Sequence, residues 1–134
     1  MKRILLLMLL IFSISAQAQI YQYKTTEFAI KQINSFGVWS DWSDWKKSDM
    51  LITFNYDTDV VKIYSPETQT YRLQECIGNY VDAYGGKQTE FTFFDQDGDK
   101  GTLRLRIEAN GNLQIYIEFS NIMWVYNIVK LKNY

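Results

Sequence analysis

The chain of 134 residues has no histidine, one cysteine and one proline. Without an imidazole base, the usual activation of a serine or cysteine nucleophile is excluded. The common histidine-containing zinc and iron sites go with it. Cys76 has no second cysteine to pair with inside the chain, so no internal disulfide supports the fold. Charge is also scarce. A formal net charge of -1 offers no strongly basic face for nucleic acid. No phosphate-cradling glycine loop, nucleophile–base pair or complete metal motif is present, which points away from an enzyme and requires no cofactor.

Apolar residues are plentiful, at 47 % of the chain against 22 % charged, and this balance belongs to an ordered globular domain. The first of them form an address. Lys2 and Arg3 precede an unbroken apolar run, Ile4 to Phe12, and Ala16-Gln17-Ala18 places small residues where a signal peptidase reads. Residues 1–18 therefore read as a cleavable signal peptide, and residues 19–134 as a single domain. The run falls short of the roughly 20 residues of a membrane span. The style of the signal suggests export to the periplasm or beyond in a Gram-negative bacterium. Loss of Lys2 and Arg3 takes the formal charge from -1 to -3.

Beyond this point, period-two alternation dominates, as expected of half-buried strands. Leu103, Leu105 and Ile107 alternate with Arg104 and Arg106, and Leu113, Ile115 and Ile117 repeat the pattern. Strands are predicted near 88–95, 101–109, 113–119 and 122–131. A loop Asn110–Asn112 sets Leu105 opposite Ile117, a loop centred on Gly98 sets Phe93 opposite Leu103, and a Ser120-Asn121 loop sets Ile117 opposite Trp124. Met50 to Tyr56, Val61 with Ile63, Tyr71 with Leu73, and a segment within Tyr21–Ile33 supply further strands. Residues 34–49 and 76–88 read as long connections. About eight sequential strands predict an all-β, antiparallel up-and-down barrel, the alternative being a β-sandwich.

Trp39-Ser40-Asp41-Trp42-Ser43-Asp44-Trp45 is the most unusual stretch. Tryptophans at spacing three can share one side of a short helical turn, either plugging one end of the barrel or forming an exposed platform for a sugar ring or protein partner. Tyr80 and Tyr84 lie in the 76–88 connection, where they could form a lip over the barrel mouth, and Glu75 and Asp82 flank it as the carboxylates to weigh for glycoside hydrolysis. Trp124 belongs to the inward-facing set. Trp39, Trp42, Trp45, Tyr80, Tyr84 and Trp124 are thus the candidate binding residues. Tyr116, Met123 and Val125 fall on the outer face as a candidate apolar strip. Asp95-Gln96-Asp97-Gly98-Asp99 spaces its carboxylates like the start of a calcium loop, but Lys100 and Arg106 occupy later positions that such a loop gives to glycine and glutamate. A hairpin turn accounts for it.

Gly37-Val38-Trp39 resembles the Gly-x-Trp signature that opens the first strand of lipocalins. The resemblance implies a barrel whose base the tryptophan closes, around a cavity for small apolar ligands. The chain as a whole also looks like the small secreted β-proteins of Gram-negative bacteria, which implies location and fold class. Together these readings predict a non-enzymatic binding module. It would hold a small molecule or glycan in the barrel or on its loops, or else bind or inhibit another exported protein. Neither nucleic acid nor a membrane span is expected.

Overall fold

A computed structural model describes residues 20–131; the signal-peptide reading falls on residues outside that range. Nine antiparallel strands run in chain order: β1 (Ile20–Gln32), β2 (Lys46–Lys47), β3 (Leu51–Asn55), β4 (Val60–Ile63), β5 (Gln69–Val81), β6 (Lys87–Asp95), β7 (Lys100–Ile107), β8 (Leu113–Glu118) and β9 (Ile122–Lys130). Each of β3 to β8 pairs with the next, and β1 pairs with both β3 and β9. Eight strands thus close an up-and-down barrel, and the short β2 lies alongside β1. No described helix is long and apolar enough to cross a membrane.

Alternation explains the interior. Ile52, Phe54, Val61, Ile63, Phe93, Leu103, Ile115 and Ile117 are each at most 1 % exposed, and they meet in one cluster. Phe93 stacks edge-on against Tyr71 at 4.7 Å and Phe119 at 5.4 Å. Its ring also occupies the place a side chain would take at Gly101, where an added Cβ would lie 2.6 Å from the ring and from the Glu118 carbonyl. Side chains therefore fill the barrel, as they can in barrels of eight strands.

One turn recurs. Asn34, Asp82 and Asp95 each begin a hairpin, and each side-chain Oδ1 accepts the backbone N–H groups two and four residues ahead. The third residue onward is a glycine with positive φ, namely Gly37, Gly85 or Gly98. The Glu108–Asn112 turn shares this backbone, with Gly111 at φ 91°. This is a three-residue loop whose left-handed last residue makes a bulge. It explains the aspartate spacing in Asp95–Asp99, since the Asp95 carboxylate caps the turn.

The recurring turn also corrects two registers. The glycine ends the loop and does not centre it, so Phe93 faces Gly101 and Leu105 faces Ile115. Both pairings differ from expectation by two residues, which preserves the apolar face. The Ser120-Asn121 loop and the Ile117–Trp124 pair are as expected. The 76–88 connection is instead mostly strand, the end of β5 and the start of β6.

Candidate functional site

Residues 34–47 form an arch along the outside edge of β1, with no helical turn. The N–H of Ser40 donates to the Gln32 carbonyl at 2.8 Å, and the Gln32 N–H donates back to Ser40 Oγ at 3.0 Å. Ser43 makes the same reciprocal pair with Ile30, both bonds at 2.9 Å. Lys46 then sits opposite Phe28. Positions 40, 43 and 46 thus match positions 32, 30 and 28, with three arch residues for every two of β1. A serine hydroxyl takes the acceptor role that a carbonyl fills in an ordinary ladder. This is the physical sense of the Trp-Ser-Asp triplet, which pairs an edge that would otherwise lie open.

The arch also lifts its aromatics outward. The Trp42 ring meets Tyr116 edge-on at 6.1 Å, and Lys31 Nζ lies 5.5 Å from its centroid. Between Trp42 and Tyr116 lie the outward-facing Ala29 and Val125, which pair across β1 and β9 and are only 1 % and 3 % exposed. The strip of Tyr116, Met123 and Val125 is therefore covered in part, where a bare patch was expected. Trp39 bridges to Ile33 and is half-buried. Trp45 stays 46 % exposed, and Phe36, at the turn that opens the arch, 89 %. The arch does not plug the barrel, because it follows a strand edge. Gly37-Val38-Trp39 follows the first strand instead of opening it.

The other candidates separate. Trp124 faces inward at one rim, packed on Phe119 at 5.7 Å, and its buried indole N–H has no hydrogen-bond partner among the described residues. Tyr80 and Tyr84 belong to the β5–β6 hairpin. Tyr80 donates to Glu90 at 2.6 Å, and Tyr84 projects from the turn. Glu75 lies exposed beside a bulge in β5. The structure brings Trp42 to Tyr116, which sequence reasoning placed outward without seeing a partner for it. It does not gather the six candidates into one site.

Beside Tyr116 the outer face of β6, β7 and β8 is a closed polar network. Arg104 donates from Nε and Nη2 to Glu118 Oε1, at 3.1 and 2.6 Å, and from Nη1 to Gln88 at 2.7 Å. Its guanidinium carbon stands 4.0 Å from the Tyr116 ring centroid. Arg106 donates to Asp82 at 2.8 Å and to Glu108 at 3.2 Å. The hydrogen bond from Arg106, joined by those from Gly86, Gln88 and Tyr84, holds the Asp82 carboxyl well below the ordinary carboxylate range. Burial pushes the Tyr116 hydroxyl up. These groups are tied to one another across three strands.

Asp95, Asp97 and Asp99 bring carboxylate oxygens within 4.8 Å of one another, but the Asp95 oxygens are partly committed to the turn. A concavity of about 810 Å³ lies on the outer face of β1, β3, β4 and β5 and is lined in part by Lys62 and Arg72. Neither was singled out from the sequence. Their outward alternation was visible, but the lack of acidic neighbours emerges only once the strands are in register. Compared with protein-family models, curated proteins and solved structures, the chain matches none.

Proposed function

We propose that the chain is a non-enzymatic binding module that holds its ligand on the outer surface, against the Phe36–Trp45 arch. The observation that carries this reading is the contrast between a barrel packed with Phe54, Phe93, Ile115 and Ile117 and an arch that leaves Phe36, Val38, Trp42 and Trp45 in water. Exposed aromatics on a hydrogen-bonded frame offer flat apolar faces at little ordering cost, which suits a sugar ring or a protein side chain. Asp41 and Asp44 add exposed acceptors between the rings. The N-terminal pattern supports export to the periplasm or outside the cell. A glycan array and a pull-down from exported proteins, each run with wild type and with the F36S/W45A variant, test the proposal. A ligand lost in the folded variant is the expected result. Ligands indifferent to both substitutions would overturn it.

A second reading, a protein partner joined by strand addition, rests on β5. Residues beyond Leu73 pair with β6 on one side, and Ile77, Tyr80 and Val81 are exposed along this stretch.

A further inference from the structure

The groove over β1, β3, β4 and β5 lies on a separate face and shares no residue with the arch, so the failure of either reading leaves the other standing. Its floor is a set of outward side chains fixed by register. Thr53 lies opposite Lys62, and Lys62 opposite Thr70; Asn55 lies opposite Val60, and Val60 opposite Arg72. Lys62 and Arg72 are therefore diagonal neighbours on adjacent strands, about 7–8 Å apart. No carboxylate lines the groove, and no ion pair joins either cation to a described carboxylate. Lys24, Arg104 and Arg106 are ion-paired, with Asp49, Glu118, and Asp82 and Glu108 respectively, and what distinguishes Lys62 and Arg72 from the other exposed cations is that both line one concavity without a carboxylate. In a chain of net negative charge, two unmatched cations sharing a concave surface of about 810 Å³ mark a local field for an anion.

We propose that this groove binds an acidic polysaccharide. The two cations would meet acid groups on the ligand, and the Thr53, Thr70 and Tyr64 hydroxyls with the Asn55 amide would meet its hydroxyl groups. An acidic peptide fits less well. β3 and β4 are hydrogen-bonded to strands on both sides, so the groove floor offers a peptide backbone no ladder to join. Recognition here runs through side chains, which suits a ligand rich in hydroxyls.

The test is calorimetric titration of the full chain with polygalacturonate, dextran, dextran sulfate and polyglutamate, at low salt and at about 0.5 M salt. Binding to polygalacturonate or dextran sulfate, none to dextran, and a loss of affinity in high salt are expected. K62Q/R72Q should weaken binding about tenfold, while K46Q/K47Q, which removes the same charge from the arch side, should not. No binding to either acidic polysaccharide, equal binding by K62Q/R72Q, or an equal effect of K46Q/K47Q would overturn the proposal. Polyglutamate binding as tightly as polygalacturonate would overturn it in favour of an acidic peptide.

Discussion

Arg104 and Arg72 occupy equivalent stations on the barrel, both outward, both mid-strand and both far from the interior, yet they live differently. Arg104 is clamped by Glu118 and Gln88 and lies over the Tyr116 ring, which Trp42 of the arch also meets. Arg72 is exposed and has no described carboxylate within ion-pair distance. The first face has spent its polar groups on one another. The second leaves Lys62 and Arg72 without an ion pair to a described carboxylate. One arginine is held by the fold and the other, on the proposal above, meets a ligand, and substitutions can set the two roles apart.

The largest effect should come from beneath both faces. Phe93→Ala empties the packed centre and should cost about 3–5 kcal/mol, read as a lower urea midpoint. Gly101→Ala should also destabilise, by about 1–3 kcal/mol, because its Cβ meets the Phe93 ring and a backbone carbonyl. If Phe93→Ala left the midpoint unchanged, the interior would not be the common support of the two faces.

The next effect separates them. Arg104→Ala strands the half-buried Glu118 and the buried Gln88 and should cost about 1–3 kcal/mol. Arg72→Ala should shift the same midpoint by less than about 0.5 kcal/mol. Equal losses would erase the distinction. Removing both arch hydroxyls, S40A/S43A, orphans the Ile30 and Gln32 N–H groups. It should cost about 0.5–1.5 kcal/mol in all, seen as faster amide exchange at those two positions. Unchanged exchange would mean that the hydroxyls do not carry the ladder.

Acid gives a subtler separation. Arg106 holds the folded-state pKa of Asp82 below its unfolded value, which is about 3.9. The carboxylate's stabilisation is therefore complete above the unfolded value and fades as the pH falls through the lower folded one. The protection factor of the Gly86 amide, taken relative to its intrinsic exchange rate at each pH, should fall as the pH drops below about 4, and Asp82→Asn should flatten the profile. A profile unchanged in Asp82→Asn would assign the acid response to another group.

Much of this architecture is legible in the linear pattern of residues. Period two in Leu103–Ile107 and Leu113–Ile117 announces the strands, and the Ser120-Asn121 loop announces its register. The other two hairpins are shifted because a left-handed glycine ends this turn where symmetry suggests the middle. Asn34, Asp82 and Asp95, each three residues before a glycine, are the available signal. The Trp-Ser-Asp triplet stands out at once, but its meaning depends on a serine hydroxyl replacing a carbonyl, and spacing alone suggests a helical turn. Lys62 and Arg72 are ordinary outward residues until β4 and β5 are aligned. Charge matching is a property of neighbours across strands, which no linear pattern displays.

Side chains fill the barrel, and both proposed binding surfaces lie outside it. Native mass spectrometry of the chain purified from a Gram-negative exporting host tests this arrangement most directly. A bare protein, with no small molecule released on denaturation, is the predicted result. A stoichiometric apolar ligand that leaves only when the barrel unfolds would contradict it.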